Sequence, residues 1–429
     1  MRTRAERTTV PPHDLDAAST AAEAETLSRP SRSRPSPRGI KAQAAAFASS
    51  AKRLRVLLCL EASGGGSGRH VADLADGLCA NGCDVTLIYG TPRATKPFLE
   101  RIAAIPQLRS IAHADMVRSV GLKDIAALAT LRRFIEAEGP FDILHGHSSK
   151  AGGLIRLLPR SIPGARIYTP HAFRTMDPEL SAAKRHIFNA MERVLSWRSD
   201  VILTGSRQEY DVALAAGIGK ARLETIINGI DPPALEDRGT VRARLGLPLE
   251  SVVVGYVGRF CHQKAPERLV DSAGRLDPAI HFALVGYGEQ KADLQRRIDA
   301  AGLSKRVHLL EGFDGQASMP AFDLLAVPSR YESMGYIFLE AAVAGLPIIS
   351  TDVGVARDVI QPGRNGFLVE NTDDPACWAN AVEAGLRPSI ASEARSVSER
   401  FVAQHSARQM VSRILAVYLQ VSGHCQEAP

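Results

Sequence analysis

The sequence lacks most of the features that would fix its class at a glance. No apolar run reaches 18 residues, so nothing in it reads as a membrane-spanning helix. Six cysteines are scattered over 429 residues without one CxxC pair. That excludes a zinc ribbon and a disulfide scaffold, and it suits reduced thiols in a reducing compartment. Aromatic residues are scarce, at 5%. No G-x-x-x-x-G-K-[ST] occurs, which excludes the common mononucleotide P-loop. A G-x-G-x-x-G is missing too: in the run Ser63–Gly68 the third glycine position falls on Arg69 or Val71. The following strand ends Leu87-Ile88-Tyr89-Gly90, without the acid that would bind a ribose. A nicotinamide site, and with it hydride transfer, is set aside.

Charge is also missing from the body of the chain. The formal net charge is +6. Residues 1–55 carry eleven Lys/Arg against five Asp/Glu, whereas the remaining 374 carry 41 of each. A neutral body argues against nucleic-acid binding. Residues 1–51, with RPSRSRPSPRG from Arg29 to Gly39, cannot bury a core and are expected to be a disordered, solvated basic tail. It holds no apolar h-region of a secretory signal. Asp14 and Asp16 match a D-x-D metal motif by accident, because no strand precedes them.

What is present is strand–helix alternation. Leu54–Leu60 is apolar except for Arg55, as a strand covered on both faces should be. The glycine run follows, then a helix from about Arg69 to Ala80 and a strand at Val85–Tyr89. A helix over Ile125–Ala137 leads to a strand at Phe141–His145, with further strands at Arg166–Thr169 and Val201–Thr204. The rhythm restarts with VVVGYVG at Val252–Gly258. It continues through a helix Glu267–Leu276, strands His281–Gly286, Val307–Leu310, Leu324–Val327, Ile348–Ser350 and Gly366–Val369, and a long last helix over Glu393–Val421. The expected fold is α/β: two doubly wound Rossmann-like halves facing across a cleft. Their expected bounds are 52–228 and 229–405, with 406–429 packing back on the first half.

The glycine run admits two readings. Its N–H groups at a helix start can hold phosphate or approach an acceptor, through Gly65, Gly66 and Ser67, or it is a plain tight turn. The second half is more informative. Gly258 and Arg259 end a strand, and Lys264 follows five residues later. Strand ends at the carboxyl edge line the ligand crevice, and two cations there suit a diphosphate. Gly286 and Gly288 end the next strand. Then come Glu332, Ser333, Met334, Gly335 and Glu340, with a helix beginning near Gly335. Glu332 in the preceding loop can bond sugar hydroxyls, while Glu340 within the helix reaches a ribose diol.

With these motifs in order and spacing, the chain resembles the retaining GT-B glycosyltransferases of family 4. Ile227-Asn228-Gly229-Ile230-Asp231, Asp142–Gly152 and Thr169-Pro170-His171-Ala172-Phe173 add to the match, which covers about residues 53–420. The resemblance implies a donor nucleotide sugar held by the second half and an acceptor by the first. It implies Arg259 and Lys264 on the leaving diphosphate, Glu332 on the donor sugar, Glu340 on the ribose and His147 near the reacting sugar. Lys150 and His171 join the acceptor side. No metal or other cofactor is expected, and the setting implied is cytoplasmic synthesis of a lipopolysaccharide or exopolysaccharide. A nucleotide-sugar 2-epimerase of the same fold and a non-catalytic nucleotide-sugar binder are the alternatives. The sequence departs from the family at Ser333-Met334, where a small glycine is common, and at Asp358, which is shorter than the usual Glu. Met334 is expected to narrow the donor pocket.

Other residues carry less. His145 reads as packing, and Cys261 with His262 lacks a second pair of metal ligands. The stripe Ile187, Met191, Val194, Leu195 with neighbouring cations fits either a peripheral membrane helix or an ordinary helix covering a sheet. The covering helix is the favoured reading.

Overall fold

The computed structural model describes residues 53–113, 116, 121, 123–332 and 334–423. The expected disordered tail, Ser333 and Cys425 lie outside the described residues. The apolar run after Arg55 forms β1 (Arg55–Leu60), buried along almost its whole length. With β2 (Asp84–Gly90), β3 (Arg109–His113), β4 (Ile143–His147), β5 (Ala165–Thr169), β6 (Val201–Thr204) and β7 (Leu223–Thr225) it makes a seven-stranded parallel sheet, ordered β3-β2-β1-β4-β5-β6-β7. The second sheet holds β8 (Val252–Val257), β9 (Ile280–Val285), β10 (Val307–Leu310), β11 (Leu324–Val327), β12 (Ile348–Thr351) and β13 (Gly366–Val369), ordered β10-β9-β8-β11-β12-β13.

Both sheets share one winding. Each grows outward from its first strand and then reverses, so β1/β4 and β8/β11 are the two switch points. A crevice opens at the carboxyl ends of such a strand pair, because the chains leave it in opposite directions. Leu60 pairs with His147, which puts the start of the glycine run beside that histidine.

Helices cover the sheets. In the first half these are α1 (Gly65–Ala80), α2 (Lys96–Ala103), α3 (Lys123–Glu138), α4 (Ser148–Leu157), α5 (Ala182–Ser196) and α6 (Arg207–Ala215). The second half has α7 (Arg238–Leu245), α8 (Glu267–Ala273), α9 (Lys291–Ala300), α10 (Gly315–Ser318), α11 (Tyr336–Val343), α12 (Ala356–Val359), α13 (Pro375–Gly385) and α14 (Pro388–Gln404). The last, α15 (Ala407–Val421), buries Met410, Val411, Ile414, Leu415, Tyr418 and Leu419 in the core of the first sheet, against α1.

Three local expectations are corrected, and two edge strands are added. The helix after β1 starts at Gly65, within the glycine run, not at Arg69. The expected last helix is two helices, because Ser406 accepts a bond from the Gln409 N–H at 3.2 Å and starts α15 anew. Strands β3 and β7 lie at the sheet edges, and the exposed pattern of Arg109–His113 carries no buried-strand signal. Finally, α5 does not cover the sheet with its apolar stripe. Ile187, Met191 and Val194 are exposed, and its inner side carries Glu192, which accepts a bond from Arg156.

Candidate active site

The cleft residues of the first half come from the loops that leave β1, β4 and β5. His147 ends β4, His171 lies two residues beyond β5, and His70 sits in α1. The three rings meet, with centroids 5.6, 4.8 and 5.3 Å apart. His147 Nδ1 and His171 Nε2 share a hydrogen bond at 3.1 Å, and His147 Nε2 has no partner. His145 packs behind, bonded to the Tyr418 hydroxyl at 2.6 Å and the Thr169 hydroxyl at 2.8 Å. Burial drives all four imidazoles toward the neutral form. His70 falls to about 4 despite nearby Asn228, and His145, His147 and His171 fall well below the usual range. The His145, His171 and His70 rings add to the penalty on His147.

Neutral rings expose nitrogen donors and acceptors, which suits sugar hydroxyls. They are also the form that ligates metals, and ligand atoms of His70, His147 and His171 lie within 4.8 Å of one another. These three residues can hold a divalent ion, a capacity the sequence reading missed.

The backbone here is strained. Ser148, His171 and Ala172 take positive φ of 68°, 51° and 98°. Such conformations cost about 1–3 kcal/mol each and persist only where surroundings impose them. Glu209 does so. Buried in α6, it accepts bonds from the Ala172 and Gly205 N–H groups, both at 2.7 Å. Burial raises its carboxyl to about 7, against those two bonds. Ser206-x-x-Glu209 could be read from sequence as a helix-capping pair. Ser206 does cap α6, accepting the Glu209 N–H at 3.1 Å, while the Glu209 side chain reaches across to the His171–Ala172 loop.

In the second half the expected residues gather after β8 and β11. Lys264 is ion-paired with Glu332, which is buried and also accepts a bond from the Ser329 hydroxyl at 2.8 Å. Arg259 projects outward and meets Glu289 at 3.3 Å, both more than half exposed. Gly286 and Gly288 are required by the chain itself. A Cβ on either would lie 1.9 Å from the Gly258 carbonyl oxygen or 2.3 Å from that of Phe260. Their role is thus to seat the Gly258–Phe260 loop. Gly335 precedes α11 with φ 78°, a left-handed value suited to glycine, and Met334 is buried beside it.

The two halves touch at Glu340. Its Oε1 accepts a bond from Arg69 Nη1 at 2.7 Å, and the Arg69 guanidinium lies 4.7 Å from the centre of the Tyr336 ring. Burial raises the Glu340 carboxyl, and Arg69 opposes that rise. A Cβ on Gly66 would lie 3.2 Å from Tyr336, so the glycine run lets α1 meet α11 closely. Gly65, Gly66 and Ser67 form the first turn of α1, and the Ser67 hydroxyl donates to the Ala62 carbonyl at 2.6 Å. Lys150 is ion-paired with Asp124 of α3. Asp358 accepts the Arg207 N–H at 3.3 Å, a contact across the cleft. Sequence reasoning missed Arg69, His70, Glu209 and Tyr336. The first two directly follow the glycine run, and only their spacing into α1 hinted at the cleft.

Residues 237–397 match the family described as glycosyl transferases group 1, and residues 65–229 match the glycosyl transferase 4-like domain. An uncharacterized 41.2 kDa protein in the cps region of Klebsiella pneumoniae is 30% identical over 246 residues, spanning 54% of this chain and 66% of that one. A D-inositol 3-phosphate glycosyltransferase of a Nocardioides species is 26% identical over 413 residues, covering 85% of this chain and 87% of that protein. Anabaena HepE, solved with UDP and glucose, superposes with a TM-score of 0.70 at 19% identity, over 86% of this chain and all of that one.

Proposed function

The chain belongs to the group 1 glycosyltransferases and has their two-domain GT-B fold; from that premise we propose its reaction. It moves a sugar from a nucleoside-diphosphate sugar to a glycan or lipid-linked saccharide, with retention at the anomeric carbon, in making a cell-surface polysaccharide or glycolipid. The observation that carries this reading is the convergence of Lys264, Glu332 and Glu340 at the second switch point, opposite neutral histidines at the first. HepE, of the same fold, holds UDP and glucose.

In this reading the diphosphate draws Lys264 and Arg259, which balance the charge that develops as the anomeric C–O bond breaks. Glu332, released from Lys264, accepts from donor hydroxyls. His147 and His171 bind sugar hydroxyls as neutral rings. The acceptor oxygen attacks the oxocarbenium-like carbon on the face the phosphate leaves, and a phosphate oxygen takes its proton. The cations stand in for a metal at the diphosphate.

The test is thermal stabilisation by UDP, GDP, ADP and TDP in EDTA. A ligand at about 100 times its dissociation constant adds about 2.7 kcal/mol. One nucleotide is expected to shift the melt, Glu340→Ala to lose that shift, and Lys264→Ala to lower turnover. Normal binding and turnover in both folded variants would refute the assignment. Loss of turnover in EDTA, restored by a divalent metal, would instead place an ion in the mechanism, with His70, His147 and His171 as its first candidates.

A further inference from the structure

We propose that the outer face of α5, with an arginine-lined cavity at its carboxyl end, docks the protein on an anionic lipid bilayer. The helix is built inside out. Ser196 is the one buried residue among its fifteen. Ile187, Met191, Val194 and Trp197 are 59%, 48%, 54% and 61% exposed, and their spacing of four, three and three puts them on one side. The inner side carries Glu192, which accepts bonds from Arg156 at 2.8 Å and the Tyr168 hydroxyl at 3.3 Å. A helix covering a sheet has the opposite polarity. Lys184 and Arg193 are exposed along the stripe, and Glu192, turned inward, is the only acid between Ser181 and Arg198.

Trp197 also lines a cavity of about 440 Å³, together with Arg160, Arg166, Arg198, Arg222 and Asp200. Three of these guanidiniums are fastened to backbone carbonyls: Arg166 to Pro159, Arg198 to Arg156, and Arg222 to Ser199. Arg166 is 93% buried, counting from its 7% exposure, and its Nε has no partner. Four cations around one acid fit a phosphate oxyanion. Apolar side chains beside a phosphate basin match the acyl and headgroup layers of a bilayer. A second copy of the chain fits worse, since a two-fold contact would set the arginine cluster against itself.

Topology adds a reason. The α5 helix leaves the carboxyl end of β5, on the cleft side, and returns to the amino end of β6. A bilayer along its face therefore reaches the cleft rim. If the acceptor is lipid-linked, which rests on the function proposed above, it can enter without leaving the membrane plane.

The experiment is flotation of the full-length protein with vesicles of phosphatidylcholine alone and of phosphatidylcholine with phosphatidylglycerol, read also by tryptophan fluorescence. Trp378 is fully buried, so a blue shift reports Trp197. Binding to the phosphatidylglycerol vesicles, weakened by salt, is expected. Trp197→Asp and Ile187→Asp should abolish it while the nucleotide-induced melt shift stays, which separates this result from the catalytic reading. Arg160→Ala and Arg222→Ala should each weaken partition about fivefold. No binding to phosphatidylglycerol vesicles would overturn the proposal. So would binding unchanged in the α5 variants, which would assign it to the basic amino-terminal tail. A dimer in light scattering that Trp197→Asp converts to monomer would also overturn it, in favour of a second copy.

Discussion

The histidine cluster sets how stability responds to acid. An unfolded imidazole titrates near 6.5, whereas native His70 does so near about 4, and His145, His147 and His171 are also lowered. Between those values the unfolded chain binds protons that the native chain refuses. The histidines' contribution is therefore whole above 6.5 and lost as pH falls toward 4. Glu209, raised to about 7, and Asp73, raised to about 6, act with the opposite sign. Their contribution is whole below the usual carboxylate range and is lost as pH rises through 6 to 7. Glu340 and Asp358 are raised too, but His281, His308 and His405 are also lowered, so seven imidazoles oppose four carboxyls and urea denaturation should give lower stability at pH 5 than at pH 7. His70→Gln should reduce that slope by up to about 1.4 kcal/mol per pH unit, the effect of one proton. An unreduced slope would show that His70 takes up its proton in the native state. Of this cluster, His147 and His171 entered the sequence reading through the family motifs that contain them, Asp142–Gly152 and Thr169–Phe173. His70 did not, because a histidine within an amphipathic helix looks like any half-buried polar residue.

Among the elements, the central strands were legible because burial on both faces leaves an unbroken apolar run, as in Val56–Leu60 and Val253–Tyr256. The edges were not: Arg109–His113 is largely exposed, and Leu223–Thr225 is three residues long. Nor was the inverted α5, since periodicity gives the width of an apolar stripe but not which way it faces. That the last helix packs back on the first half was an expectation from sequence; that it seats on α1 was not. The seat depends on Gly77, where a Cβ would lie 2.5 and 2.8 Å from the two γ-carbons of buried Val411. Alanine is better than glycine in a helix by about 1 kcal/mol, but overpacking a rigid core costs about 1–3. Gly77→Ala is thus expected to lower stability by up to about 2 kcal/mol. Adding Val411→Ala should cost less than the sum of the two single changes. Additive effects in thermal melts would mean that the two helices do not press on each other there.

At the scale of the whole molecule, the cleft is held by contacts that no local pattern encodes. Gln208 of α6 donates to the Asp352 carbonyl at 3.2 Å and accepts the Gly354 N–H at 2.7 Å. The Arg207 N–H reaches Asp358, and Arg69 reaches Glu340. The last of these joins residues 271 apart in the chain. It also sets two tasks against each other, since Glu340 is both the acid proposed for the ribose and the anchor for Arg69. A donor ribose must share that carboxylate or displace the arginine, so substrate binding and the closeness of the halves are coupled. Arg69→Gln would leave Glu340 buried without its cation, a state costlier than the intact pair is valuable. The strain is relieved most directly by opening the cleft to water. Small-angle scattering of Arg69→Gln should therefore give a larger radius of gyration than the parent. Nucleotide binding should persist, because Glu340 and Lys264 remain, while turnover falls, because the histidines no longer reach the donor sugar. Unchanged scattering with unchanged turnover would show that the Gln208 and Asp358 contacts close the cleft without Arg69.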